Sequence, residues 1–416
     1  MRSFLMGVVL AGALPPAGAL AGALESLEFG GQFRARGETR NPTANYVAAR
    51  GEDMLLFRTR FWTRAEPAEG MRAYVQMQHV HTAGSDTPTD TDDDFGLHQG
   101  FLDVLDLWGL PLSLRAGRQE LKYGDQRLIS PLDWSNNGRT WDGVRLRAEQ
   151  ESWRADLFAT VVDENRTTRQ DDVFSGLYAS CRAVPGHEFD LYVLARDEGD
   201  GSYFDEQGVR QGNLSQRTAG ARLKGKAGGA DYSGEAAWQF GRKAGDELRA
   251  WALAATAGYT FEAAGSPRVG VEYDLASGDR NPTDARDGTF DPIFPFGHAL
   301  QGYADLFSWK NGHAIKAGVS AKPGEGWNLQ ADFHHFRLAQ ATDGWYSAGG
   351  TQLARDTAGA SGRTVGNELD LHAKATVRGA LKLWFGYSRF FRGNFAKNRG
   401  FGKDMDWAFL QAVLDF

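Results

Sequence analysis

Cysteine is almost missing from this chain of 416 residues: Cys181 stands alone, so neither an intrachain disulfide nor a cysteine-based metal site is available. Long apolar runs are missing too. Beyond the amino terminus nothing approaches the roughly 20 uninterrupted apolar residues that a spanning helix needs, and mean hydropathy is polar at −0.45. Any membrane passage must therefore use strands. Proline is scarce at 13, against 52 Gly, 26 Phe, 12 Trp and 12 Tyr, a profile unlike a bundle of membrane helices. No composition break resembles a linker and no block is of low complexity, so one architecture is expected from end to end.

The exception to the missing apolar runs is the start, "MRSFLMGVVLAGALPPAGALAGA". One basic residue, an apolar core broken by Pro15-Pro16 and a small-residue end at Ala21-Gly22-Ala23 read as a secretory signal peptide over 1–23, cleaved before Leu24. Residues 24–416 then form a single exported domain.

The stretch "LLFRTRFWTR" (55–64) shows what kind. At helical spacing Phe57, Phe61, Arg60 and Arg64 fall on one side and no apolar stripe results. At strand spacing Leu55, Phe57, Thr59, Phe61 and Thr63 face one way, and Leu56, Arg58, Arg60, Trp62 and Arg64 the other. Such a strand suits a wall with lipid on one side and water on the other. About eighteen segments of this kind recur: 27–38, 55–65, 71–80, 97–105, 111–118, 142–149, 153–162, 173–182, 187–196, 217–224, 231–240, 250–261, 267–275, 313–322, 327–337, 367–377, 381–391 and 405–416. Tight turns at 67–70 and around 321–329 alternate with long polar connections at 82–96, 197–213, 276–312 and 339–364, the outer-membrane pattern of short periplasmic turns and long extracellular loops. The last strand puts Ala408, Leu410, Ala412, Leu414 and Phe416 on one lipid-facing side. The expectation is an all-β, transmembrane antiparallel β-barrel in the bacterial outer membrane, monomeric because closure leaves no edge to pair.

"LRAGRQELKYGDQRLISPLDWSNNGRTWDGVRL" (114–146), "DGTFDPIFPFGHALQGYADLFSWKN" (287–311) and "GNELDL" (366–371) resemble the alginate-export (AlgE-like) family of outer-membrane porins. The resemblance covers nearly the whole chain after the signal peptide. It implies an 18-stranded barrel whose pore, lined by basic side chains, passes a polyanionic sugar polymer such as alginate.

Alternation by itself turns nine arginines inward from five segments: Arg34, Arg36, Arg58, Arg60, Arg64, Arg72, Arg115, Arg145 and Arg147. They would form one positive wall although the chain carries a net charge of −7. A functional reason is that guanidinium forks suit carboxylates and stay charged at any relevant pH. The structural alternative is that they pair with lumenal acids such as Glu28, Glu38, Asp103 and Asp156 and brace the wall. The acidic excess sits in loops such as 85–94, whose spacing does not meet a defined calcium site and which would face solvent or lipopolysaccharide. Segment 276–312 is either a lumenal constriction or an external flap.

No cofactor, metal or nucleic-acid partner is expected. The partners are an anionic polysaccharide or small anions, outer-membrane lipid and lipopolysaccharide, with room for a periplasmic partner that feeds the pore. An enzyme is disfavoured because Ser135 in "DWSNNG" has no His in the same motif to act as its base. A soluble carbohydrate binder is disfavoured because the 12 Trp recur near expected strand ends, as membrane-interface belts do. A general porin for small anions or sugar acids shares every feature except the polymer.

Overall fold

The computed structural model describes residues 26–41, 52–84, 93–164 and 167–416. The segment read as a signal peptide and residues 85–92 of the acidic loop lie outside the described residues.

Eighteen antiparallel strands close into one barrel. They are β1 (Glu28–Asn41), β2 (Glu52–Ala68), β3 (Met71–Ala83), β4 (Asp93–Val104), β5 (Leu112–Gln119), β6 (Arg139–Gln150), β7 (Trp153–Glu164), β8 (Thr167–Cys181) and β9 (His187–Phe204). The second half comprises β10 (Gln211–Ala227), β11 (Ala230–Lys243), β12 (Asp246–Thr260), β13 (Arg268–Ala276), β14 (Gly312–Ala321), β15 (Trp327–Leu338), β16 (Thr364–Val377), β17 (Leu381–Arg392) and β18 (Met405–Asp415). Each pairs with its sequence neighbour, and β1 also pairs with β18 from Gln32↔Asp415 to Asn41↔Asp406. Gly31 and Phe416 exchange backbone hydrogen bonds at the seam (2.7 and 3.0 Å). Closure satisfies every ladder and removes the edges that lipid could not hydrogen-bond.

All the segments marked by alternation are strands, but several run further than their apolar faces. β9 and β10 continue through most of 197–213, leaving only 205–210 as their connection. The hairpin rises past the apolar band, so both its faces are polar and read like a loop. The alternation itself holds in β2: Leu55 and Phe61 are more than half exposed on the outer face, whereas Arg58 is 1% and Arg60 7% exposed.

The tryptophans correct the belt expectation. Trp108, Trp153, Trp238, Trp251 and Trp327 are exposed, as belts require, but Trp134, Trp141, Trp309, Trp345 and Trp407 are buried within the barrel. They belong to two apolar clusters that occupy the lumen. One joins Leu121, Tyr123, Leu128, Ile129, Ile293 and Phe294 to wall residues such as Phe158 and Phe174; the other joins Trp134, Tyr303, Leu306 and Phe307 to Phe336, Phe390, Trp407 and Phe409. Interior space of an 18-stranded barrel is too wide for wall side chains alone to fill. Three connections fold inward to fill it: 120–138, 277–311 and 339–363. Segment 276–312 is thus a constriction and no external flap.

Candidate functional site

The constriction begins where β5 stops after eight residues and the chain turns into the barrel. Its first infolded segment meets the second in mid-lumen through backbone bonds: Ser130 N to Phe294 O (2.9 Å), Phe294 N to Leu128 O (3.0 Å) and Phe296 N to Gln126 O (2.9 Å). Ile129 and Phe294 form a parallel bridge there. Both segments are then bound to the wall all around. On one side Arg127 pairs with Asp274 of β13 (3.1 Å) and with Glu272, and Tyr123 donates to Asp156 of β7 (2.8 Å) while stacking on Tyr178 of β8 (4.6 Å). The second segment shares Asp274, to which Gln301 donates (2.6 Å), and docks on two further wall carboxylates, Ala304 N donating to Glu368 (2.8 Å) and Tyr303 N to Asp370 (3.3 Å). Gly302 permits this approach; its φ is +92°, and a Cβ there would meet the Glu368 carboxylate at 2.6 Å.

Four of the nine sequence-marked arginines hold the tip of the first segment. Arg34 donates to Asp133 O (2.7 Å), Ser135 O (3.0 Å) and Asn136 Oδ1 (3.0 Å). Arg58, opposite it in the β1–β2 register, pairs with the Asp133 carboxylate (2.9 Å) and donates to Asp133 O (3.0 Å). Arg60 reaches Asp133 Oδ1 (3.1 Å) and Gln78 (2.6 Å). Confinement in the lumen would raise the Asp133 carboxyl, but Arg58, Arg60 and Arg34 more than offset this and hold it below the usual carboxylate range. Arg36 donates to Trp134 O (2.8 Å) and lies over the Trp134 ring (3.7 Å), whose other face stacks on His298 (4.0 Å). Trp134, in the first infolded segment, thus ties it to β1 and to the second.

The other five stand apart from the tip. Arg64 pairs with Glu28, and Arg72 with Glu66 (3.6 Å), both toward the short-turn end. Arg115 forms a fork on Asp103 (2.7 and 2.8 Å) above the Phe101 ring, and Arg147 forms one on Asp156 (2.7 and 2.8 Å). Glu28, Glu38, Asp103 and Asp156, the acids marked as bracing partners, each hold an arginine, Glu38 holding Arg36 at 2.7 Å. Arg145 differs from the rest. It lies opposite Arg115 in the β5–β6 register, is partly exposed, and has neither an ion pair nor a hydrogen bond among the described residues. Arg115 and Arg147 are paired beside it, Arg147 also reaching Glu149 (3.8 Å), so Arg145 is the one guanidinium of the three without a carboxylate among the described residues.

Sequence reasoning missed the opposite wall. Asp172, Asp190, Glu235, Glu272, Asp274, Glu368 and Asp370 are buried on β8 to β16. Strand parity marks each as inward, but a reading that follows the arginines alone passes over them. A cavity of about 520 Å³ opens toward the long-loop end between Trp134, Arg139, Arg196, Phe294, His298 and Lys310. A second, of about 880 Å³, lies toward the short-turn end beside Arg127, Lys224 and Lys226. Ser135, considered as a nucleophile, contributes its carbonyl to Arg34.

Among solved structures the chain is similar to Pseudomonas aeruginosa OpdO, at 13% identity and a TM-score of 0.66 over 95% of this chain and 99% of that one. It is also similar to Pseudomonas aeruginosa OpdQ (13%, 0.63, 94% and 98%) and Acinetobacter baumannii OccAB4 (10%, 0.61, 94% and 99%). At such identities the likeness is one of fold, that of outer-membrane porins. No curated protein matches the sequence. The alginate export family model, by contrast, matches residues 25–410. A closed 18-stranded barrel, a lumen crossed by infolded segments and that match over nearly the whole length agree: this outer-membrane channel belongs to the alginate export family.

Proposed function

We propose that this channel passes an anionic sugar substrate, alginate or a similar acidic polysaccharide, along the wall carrying Arg34, Arg36, Arg58, Arg60, Arg64, Arg72, Arg115, Arg145 and Arg147, and that it works as a monomer. The observation that carries the reading is Arg145. Its neighbours Arg115 and Arg147 are neutralised by Asp103 and Asp156, so one guanidinium is left for a ligand carboxylate. Family membership supports the polymer.

A second reading, small sugar acids, is favoured by the constriction, because two segments hydrogen-bonded across mid-lumen oppose the threading of a chain. Planar-bilayer recordings separate the two. With alginate as substrate, oligomers of alginate block chloride current at far lower concentration than the monomeric uronates. Equal block per carboxylate by monomer and oligomer favours the small-acid channel, and block by neither ends both readings.

A further inference from the structure

The lumen accounts for the inward charges; a group of outward ones remains. On the outer wall His313 of β14 lies directly opposite Arg337 of β15, and Arg363 precedes β16 beside Arg337's register partner Thr364. The like charges here are the two guanidinium groups, Arg337 and Arg363, and like charges on adjacent strands destabilise each other. No carboxylate pairs with any of the three among the described residues; Arg363 donates only to Leu338 O (3.1 Å), and Arg337 is exposed with no partner there. Burial and the neighbouring Arg337 both pull the Arg363 guanidinium below its usual pKa. Tyr273 of β13 holds the His313 ring by a 2.7 Å hydrogen bond to Nδ1, leaving the far ring nitrogen to a ligand. Elsewhere on the same rim Arg389 pairs with Asp406 (3.1 Å) and Arg249 with Glu247 (2.7 Å), while Arg242 stands without a carboxylate among the described residues and donates to Gly245 O (3.3 Å).

Position names what the anion is. All three residues stand at the long-loop end, where β14 begins, β15 ends and β16 begins. Below them on the same face, past His335, whose ring is held by Asn367 (2.8 Å), come Ile315, Phe333, Val271 and Val319, each about half exposed, which is the band that faces hydrocarbon. In an outer-membrane barrel the long loops are extracellular. An anion held there sits at the headgroup level of the outer leaflet, with its apolar part against the band beneath. We infer that His313, Arg337 and Arg363 form a binding site for a phosphate group of the outer-leaflet glycolipid, lipid A, whose acyl chains lie along β13 to β15. The inference is independent of what the lumen conducts.

Native mass spectrometry of the full chain in mild detergent tests it, with three probes: bis-phosphorylated lipid A, the same lipid enzymatically dephosphorylated, and inorganic phosphate. Lipid A is expected to remain bound, the dephosphorylated lipid to be lost, and free phosphate neither to bind nor to compete at millimolar concentration. At the free energy that each basic residue contributes near an anionic surface, Arg337→Ala with Arg363→Ala should weaken lipid A retention roughly 30-fold, while Arg389→Ala should not change it. Gel mobility before heating confirms that each variant is folded. Should the double variant fail to assemble, the wild-type comparison of the two lipids decides. Equal retention of phosphorylated and dephosphorylated lipid, or unchanged retention by a folded double variant, overturns the site. Binding of inorganic phosphate alone replaces a lipid site by a phosphate site and overturns it too.

Discussion

Trp134→Ala is the sharpest perturbation of the constriction. The ring lies between Arg36 (3.7 Å) and His298 (4.0 Å) and makes edge contacts with Trp384 (5.2 Å), Trp407 (5.9 Å) and Phe409 (5.0 Å). Truncating a buried aromatic of this kind costs about 3–5 kcal/mol, including the cavity left behind. The cation–π and ring-pair contributions of about 0.5–2 kcal/mol each lie within that sum. The cost falls on docking of segment 120–138 and not on the barrel, whose ladders do not involve Trp134. Arg34 and Arg58 still bind the tip, so the segment should remain docked most of the time, but its undocked population should rise by roughly 10²- to 10⁴-fold. Two assays read this: the rate of proteolytic nicking within 120–138 in detergent, and the frequency of large-conductance openings in a bilayer. Both should rise, with unheated gel mobility unchanged. Trp108→Ala, at a ring 85% exposed, should alter neither. Wild-type nicking and wild-type openings in the Trp134 variant, or loss of the folded barrel, would refute the idea that this residue ties the constriction together.

Asp279 gives a pH dependence. It opens the second infolded segment, and burial together with Asp343 and Asp287 pushes its carboxyl up to about 7. An undocked aspartate titrates near about 4, so the docked segment holds an extra proton between those values and docking weakens as pH rises through that window. Openings should be more frequent at pH 8 than at pH 5, and Asp279→Asn should flatten the profile; a profile unchanged by that substitution assigns the dependence elsewhere. On the outer wall Phe57→Arg with Phe61→Arg places two charges toward lipid at about 2–4 kcal/mol each near the midplane, so heat-modifiable assembly should fall sharply. Normal insertion of that variant would mean that the faces of β2 are reversed. An epitope in 205–210 should be detected on intact cells and one at Glu69-Gly70 only after permeabilisation; the opposite result inverts the barrel.

Most of the barrel was legible because lipid enforces a rule on every second residue. In β2 the alternation of Phe57 and Phe61 with Arg58 and Arg60 fixes face and strand together. The infolded segments were not legible, since a loop rich in Asp, Pro and aromatics packs equally well over a rim or into a lumen. What decides is partners distant in sequence, such as Arg34 with Asp133 or Gln301 with Asp274. Pairing of the arginines needed register: Arg115 meets Asp103 because β4 and β5 place them opposite each other. Trp407 was a reading error, not a missing signal. Once Ala408 and Leu410 were assigned to lipid, parity already turned Trp407 inward, where it is 1% exposed.

The central claim, that anions pass along the wall where Arg145 is left unpaired, is tested most directly by the zero-current potential of single channels across a tenfold KCl gradient, in wild type and Arg145→Glu. The wild type should prefer chloride, and the variant should lose or invert that preference while keeping its folded gel mobility, because a lumenal substitution puts no charge in lipid. A wild-type channel that prefers potassium, or an Arg145→Glu channel with undiminished chloride preference, would contradict it.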